Sequence, residues 1–358
     1  TQRKTPMSLI ATLGLALPVI QAPLAGVQNS RLALAVCAAG GLGSLPAAML
    51  SLDQLRAELS ALKAGTERPW NVNFFAHTPP MPDPLRETAW RQALLPYYRE
   101  FGIDPENIPA GAGRMPFSHA AADLIEEFRP AVVSFHFGLP ADDLLQRVCA
   151  SGALIIASAT TVDEARWLEA HGVDAVIAQG LEAGGHRGHF LSDDLSKQMG
   201  TFTLLPQIVA AVRCPVIAAG GIVDAASAGA ARALGAAAIQ AGTVYMLCPE
   251  ATTSALHRAA LQAAGAEHTA LTSLFTGRPA RGIVNRLMRE LGPLNPAAPV
   301  FPLATAAIAP LRAAAEKLGS TDFSPLWSGQ NTSACRAVPA AEITRELARG
   351  FVLADLRV

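Results

Sequence analysis

The chain has 358 residues, of which 51% are hydrophobic and only 16% charged, well under the roughly 25% charged share of an average soluble domain. So apolar a chain buries a large core, which excludes general disorder and leaves one α/β barrel or two medium domains. The 28 Lys and Arg against 29 Asp and Glu give a net charge of −1, without the basic surplus that drives nucleic-acid binding, so no nucleic-acid partner is expected.

The cysteines (Cys37, Cys149, Cys214, Cys248 and Cys335) are odd in number, scattered and free of any CxxC. That usage reads as reduced thiols in a cytoplasm, and the His and carboxylate positions show no metal-ligand spacing. At the N-terminus, Arg3 and Lys4 precede an apolar run from Met7 to Leu17, the outline of a secretory signal. Pro18 and the strand-like PVIQAP instead make the run lead into a folded core. Residues 32–50 are also uncharged, but Gly40, Gly41, Gly43 and Pro46 interrupt them, which suits helix–turn–strand rather than a membrane span. A soluble, cytoplasmic protein without a membrane partner is the expectation.

In chain order, short apolar runs predict strands at 19–21, 41–45, 71–75, 131–135, 154–158, 175–179, 216–219 and 237–240. They are apolar on both sides of the alternation, as parallel strands buried on both faces require. Helices are predicted between them at about 30–39, 51–63, 84–101, 141–151, 161–171, 203–213 and 224–235. Thr161 to Glu164 reads as a capping box with Gly172 closing that helix, and Asp224 and Gly235 bracket another. The stretch 103–119, rich in Pro and Gly, reads as an inserted loop. Eight β/α repeats are the count that closes a TIM barrel; a doubly wound open sheet would gather its loop signals at one switch point. We therefore expect a TIM (β/α)8 barrel over 1–246, a small, mostly helical substrate lid over 247–319 with helices near 253–264, 283–290 and 305–318, and a return to the barrel over 320–358.

Barrel chemistry sits on the loops after the strands. After the seventh run comes Ala219-Gly220-Gly221-Ile222, and after the eighth Gln240-Ala241-Gly242-Thr243. Glycines there let backbone N–H groups approach an anion, as a phosphate cradle does, although tight turns alone also use them. The sixth run leads into Gln179-Gly-Leu-Glu182-Ala-Gly184-Gly185-His186-Arg187-Gly188-His189. Two glycines can aim the His186 imidazole at a ligand, and imidazole moves protons near neutral pH. Alternation in Ser134-Phe-His136-Phe-Gly138 sends His136 to the barrel mouth and both phenylalanines under the helices. Asn73 and Gln179 offer amides, and Gln21-Ala22-Pro23-Leu24 closes the first strand. Amides, small or apolar residues and a phosphate cradle together suit a flat heteroaromatic ring on a phosphorylated tail, and FMN is the economical candidate. No HExxH, Walker loop, GxSxG elbow or strand-to-helix GxGxxG is present.

These stretches resemble the nitronate monooxygenases, formerly called 2-nitropropane dioxygenases, and most closely their class I branch. The resemblance runs over nearly the whole chain: VIQAPLAGV at 19–27, AAGGLGSL at 38–45, NVNFF at 71–75, SFHFG at 134–138, QGLEAGGHRG at 179–188, AAGGI at 218–222, QAGTVYMLCPE at 240–250, GRPARGIVNR at 277–286 and WSGQ at 327–330. It implies an FMN-binding barrel that oxidises alkyl nitronates, or nitroalkanes, with O2 through a one-electron-reduced flavin, yielding a carbonyl compound and nitrite or nitrate. Carried over, FMN would be held by Ala22, Pro23, Leu24, Asn73, Gln179, Gly184, Gly185, Ala219, Gly220, Gly221, Gln240, Ala241, Gly242 and Thr243, with Ser328, Gly329 and Gln330 closing over it. His186 would be the catalytic histidine, and His136, Phe301 and Thr305 would meet the substrate. A homodimer is compatible with the resemblance.

Class I members carry tyrosines and a lysine in the segment before WxGQ. Here that segment, 299–312, reads PVFPLATAAIAPLR, with Phe301, Thr305 and Ala309 and neither Tyr nor Lys. A carboxylate-bearing nitronate would lose charge-assisted partners worth roughly 1.5–3 kcal/mol each, so a more apolar pocket and a different nitro compound are expected. The runner-up is a flavin-dependent NAD(P)H:quinone or enoyl reductase on the same scaffold, and a non-catalytic flavin-binding protein stands third.

Overall fold

The strands of the computed structural model are β1 (Val19–Gln21), β2 (Gly43–Pro46), β3 (Trp70–Phe75), β4 (Val132–His136), β5 (Leu154–Ala159), β6 (Ala175–Gln179), the two-residue β7 (Gly185–His186), β8 (Val216–Ala219), β9 (Ala238–Ala241), β10 (Thr269–Thr272) and β11 (Ala280–Ile283). The structure describes residues 9–108 and 114–354. Arg3, Lys4, Met7 and part of the inserted loop lie outside the described residues, as do both extreme ends of the domain division.

The eight expected runs pair in parallel in the order β1-β9-β8-β6-β5-β4-β3-β2. Ile20 of β1 then bridges Leu42 beside β2, with Gln21 N–H donating to the Leu42 carbonyl at 3.0 Å. That contact closes the sheet on itself, and the barrel is a TIM barrel. Residues pointing outward from the strands, such as Val72, Val133, Ile155 and Val176, pack under the helices in one large core. Ile20, Ile156, Ile177 and Ile217 fill the interior, joined by Leu9 and Leu13 of the short helix Leu9–Leu13. The described part of the N-terminal apolar run therefore belongs to the barrel. Among the described residues, no helix is long and apolar enough to cross a membrane. The helix Ala340–Ala354 packs on Ser30–Ala39 and Ala225–Ala233 and completes the outer ring.

Two local expectations change. Thr161 accepts from Glu164 N–H as an N-cap should, but the Glu164 carboxylate does not close a box. It accepts instead from Thr160 N–H at 2.7 Å and Phe190 N–H at 2.7 Å, tying two loops to the barrel rim. The helix Pro84–Glu100 takes no place in the barrel ring, where His119–Phe128 stands after β3. Its buried Trp90, Leu94, Tyr97 and Tyr98 pack with Leu274, Phe275, Leu287 and Leu311 in a second core. Tyr98 anchors it by donating to the Ala307 carbonyl at 2.7 Å. The layer over the barrel mouth is thus built from two segments of chain, one of them inserted after β3.

That layer is not helical throughout. Beside its helices Ala255–Gln262, Arg286–Leu291 and Thr305–Lys317, it holds an antiparallel hairpin of β10 and β11. β7 adds to the hairpin edge, with His186 opposite Ala280 and Gly185 opposite Arg281. Short runs such as Thr269–Thr272 lack a period long enough to tell strand from helix.

Candidate active site

A cavity of about 290 Å3 opens at the carboxyl ends of the barrel strands, beneath the hairpin, near the lower end of the range for small-molecule sites. Its wall includes Ala22, Pro23, Leu24, Asn73, His136, Gln179, Gly184, Gly185 and His186. Ala219, Gly220, Gly221, Gln240, Ala241, Gly242, Thr243, Ser328 and Gly329 complete the set that the sequence placed together. Three expected residues are not on that wall. Gln330 is exposed, and its backbone N–H donates to the Glu182 carbonyl at 3.0 Å. Phe301 and Thr305 stand behind the wall, Phe301 with its ring 5.3 Å from that of His186 and Thr305 donating to the Phe275 carbonyl.

His186 owes its position to its strand. Because β7 is paired to β11, the imidazole faces the hairpin loop, where Nε2 lies 2.9 Å from Thr276 Oγ1. Thr276 also donates to the Arg278 carbonyl at 3.4 Å. With its single proton so used, Thr276 accepts from His186 Nε2–H, which leaves the lone pair on Nδ1. Burial drives the imidazole well below its ordinary pKa, and the positive charge of Arg114 adds to this. The ring is therefore neutral, with one ring nitrogen unprotonated.

His136 plays another part. Its Nε2 lies 3.0 Å from the His186 carbonyl oxygen, which can only accept, so Nε2 carries the proton. Nδ1 then accepts from Ser158 Oγ at 3.0 Å. Both ring nitrogens are spent within the protein, and burial holds the pKa down to about 3. His136 lines the cavity where a substrate contact was expected, and its ring nitrogens brace the His186 main chain and the Ser158 hydroxyl. Gln179 is used in the same way: its Nε2 donates to the His186 carbonyl at 3.0 Å, and its Oε1 accepts from Gly188 N–H at 2.8 Å.

The alternation expected in β4 holds for Ser134, Phe135 and His136 and fails at Phe137. Phe137 has φ 73°, a left-handed conformation rare for a bulky residue. The turn swings its ring out from under the helices and into a cluster with Phe75 and Phe301. Arg278 stacks on it, its Cζ 4.2 Å from the ring centroid. Arg187 is buried and donates to the Gly180 and Gln179 carbonyls at 2.6 and 2.7 Å, a structural role. His189 is buried and lies off the cavity wall.

The opposite end of the cavity is glycine-lined. Gly220 and Gly221 have φ of 117° and 70°, a backbone that side-chain-bearing residues rarely adopt. Gly184 is needed for a different reason: a Cβ there would sit 2.5 Å from Gly329 N and Ser328 C. The WSGQ stretch thus crosses directly over the β6 loop, and Gly329 N–H donates to Thr243 Oγ1 at 2.9 Å. On the same wall, Gln240 Oε1 is buried without a hydrogen-bond partner. A buried orphan acceptor costs stability until a donor reaches it.

Sequence reasoning missed several wall residues, among them Ser158, Trp327, Arg114 and Arg312. The two arginines add cationic groups to the pocket that 299–312 led one to expect as apolar. Arg312 belongs to that very segment, and Arg114 arrives from the inserted loop, whose helical and loop neighbours carry no motif. Among the described residues, no group of three or more His, Cys, Asp or Glu could hold a metal ion.

Residues 6–350 match the family profile "Nitronate monooxygenase". The chain belongs to the nitronate monooxygenase family. It is 42% identical to the nitronate monooxygenase of Pseudomonas aeruginosa, the alignment covering 94% of this chain and 96% of that protein. The nitronate monooxygenase of Paraburkholderia phytofirmans is 40% identical, with 98% of this chain and 96% of the relative covered. Among solved structures, a nitroalkane oxidase from Streptomyces ansochromogenes superposes with a TM-score of 0.88 at 37% identity, covering 98% of this chain and 99% of that one.

Proposed function

We propose that this family member is an FMN-dependent enzyme that oxidises alkyl nitronates with O2 to a carbonyl compound and nitrite or nitrate. The observation that carries the reading is one shared cavity, with the neutral His186 imidazole and the glycine turns after β8 and β9 on its walls.

FMN fits the residues present. Gly220, Gly221 and Gly242 offer backbone at the end where TIM barrels bind phosphate. The orphan Gln240 Oε1 calls for a donor such as a ribityl hydroxyl or ring N–H. Ala22, Leu24 and Asn73 provide an apolar and amide wall for a flat ring. When bound, FMN supplies the redox chemistry toward nitronate and O2.

The protein supplies position and protons. His186 Nδ1 takes the α-proton of a neutral nitroalkane, and Thr276 fixes the tautomer that makes this possible. A nitronate is already deprotonated, so for that substrate His186 orients rather than abstracts. Phe75 and Trp327 on the wall, with Phe137 and Phe301 behind it, place their ring centroids 5.3–6.0 Å from the imidazole and shield it from water. A cytoplasmic location accords with five free cysteines.

The test is an oxygen-electrode assay of the yellow purified protein with ethylnitronate and with nitroethane, repeated anaerobically with NADH. Oxygen uptake on the nitronate without NADH is the expected result. Rapid flavin bleaching by NADH with no uptake on nitronates would replace this reading with a reductase.

A further inference from the structure

Two arginines, Arg114 and Arg312, line the cavity. On the neighbouring segments, Arg187 donates to the Gly180 and Gln179 carbonyls, Arg278 to the His189 carbonyl, and Arg281 to the Leu181 carbonyl at 2.9 Å. Arg312 pairs with Glu316 at 2.7 Å. Arg114 differs. It lines the cavity, yet its hydrogen-bond partner is a neutral hydroxyl, Thr305 Oγ1, at 2.9 Å. Its Cζ lies 5.9 Å from the centre of the Phe301 ring. Among the described residues no carboxylate pairs with it, and the neighbouring 109–113, Pro-Ala-Gly-Ala-Gly, contain none.

A guanidinium withdrawn from water without an anion is costly. Here burial and the charge of Arg312 both disfavour the charged form, and no negative group offsets them. A fork of N–H donors is matched by a planar anion with two oxygens. His186 cannot meet that need, being neutral, with Arg114 disfavouring its charged form.

We propose that Arg114 is the anion-binding residue of this cavity, gripping a planar two-oxygen anion of the substrate beside His186. The inference deepens the nitronate reading and rests on it for the substrate. Thr305 acquires a role here as the hydroxyl that holds the guanidinium in place, itself donating to the Phe275 carbonyl. The anion is either the nitronate group or a carboxylate on the same molecule, since both present the same geometry to the fork.

The experiment compares the holoenzyme with Arg114→Met and Arg114→Lys, each checked for flavin content and thermal melting. Substrates are ethylnitronate, with one anionic group, and propionate 3-nitronate, with two. Binding of nitrate, a planar oxyanion, is measured by calorimetry without turnover. Arg114→Met is expected to raise KM about tenfold to a hundredfold, the worth of a charge-assisted hydrogen bond, with kcat little changed, and to weaken nitrate binding similarly. Arg114→Lys should recover part of both. A rise for both substrates places the nitronate group on Arg114, and a rise for propionate 3-nitronate alone places its carboxylate there. Unchanged KM values and unchanged nitrate binding would overturn the proposal. Should the wild type consume no oxygen on either nitronate while nitrate binding still depends on Arg114, the reaction assignment fails and the anion site stands.

Discussion

His136 Nε2 donates to the backbone carbonyl oxygen of His186 at 3.0 Å, so one histidine holds the main chain of the other. The same oxygen accepts from Gln179 Nε2, also at 3.0 Å. Two side chains from β4 and β6 thereby fix where β7 crosses the barrel mouth, and with it the imidazole. Position at an active site is worth a great deal: a shift of about 1 Å can cost roughly 100-fold in rate. Replacing His136 by Leu removes one support and leaves the Ser158 hydroxyl without its acceptor. We expect kcat to fall roughly tenfold to a hundredfold while flavin is retained, measured by steady-state oxygen uptake and the visible spectrum. Unaltered kcat in a folded, yellow His136→Leu protein would remove the strut from the mechanism.

His186 separates two substrates that differ by one proton. A neutral nitroalkane needs a base, and positioned general-base catalysis contributes roughly 10²–10⁴-fold. Ethylnitronate needs none. His186→Asn keeps a hydrogen-bonding side chain but loses basicity, so nitroethane oxidation should fall within that range. Ethylnitronate oxidation should fall by less than about tenfold, a hydrogen bond's worth. Equal losses on both substrates would deny His186 its role as base.

The barrel was legible in the sequence because its strands are buried on both faces, which leaves short apolar runs bounded by glycine, such as 175–179 and 216–219. The glycine cradles and His186 were legible because they sit within a few residues of those runs. Arg114 was not, for a lone arginine in a Pro- and Gly-rich stretch has no local pattern, and its place on the cavity wall follows from tertiary packing such as that of Pro84–Glu100 against the lid. Phe137 was misplaced because alternation assumes extended backbone, and φ 73° ends it one residue early. The expected box at Thr161 failed through competition: Glu164 found better donors at Thr160 and Phe190.

Gly184 offers a test of the crossing between the β6 loop and the WSGQ stretch. A methyl group there would lie 2.5 Å from Gly329 N and Ser328 C, both backbone atoms that no rotamer change can move. Gly184→Ala must therefore push the crossing open, breaking the Gly329 to Thr243 hydrogen bond. Overpacking of this kind costs roughly 1–3 kcal/mol. The expected outcome is weaker flavin retention, read as loss of yellow colour on gel filtration. Gly185→Ala is the control, since no atom lies within 4 Å of its added Cβ; its φ of 71° imposes strain without the collision. Equal flavin retention in Gly184→Ala and wild type would show that the crossing does not guard the cofactor.

Acid should destabilise the fold through its buried histidines. Burial lowers His77 and His257 to about 4 and His136 and His189 to about 3. In the unfolded chain each returns to about 6.5. Above that pH neither state binds the protons, so these groups cost nothing. As pH falls through 6.5 the unfolded chain takes up protons that the folded one refuses, and stability drops until the folded values are reached. Each group contributes up to about 1.4 kcal/mol per pH unit within that window, so the four together set an upper bound of about 6 kcal/mol per pH unit. Urea unfolding at pH 7, 6 and 5, where carboxylates still stay largely ionised, should show a clear fall in stability. Stability that is flat across that range would mean the histidines are solvated or charged in the folded protein. His189→Gln removes one such group away from the cavity wall, and its stability should decline with acid less steeply than that of the wild type.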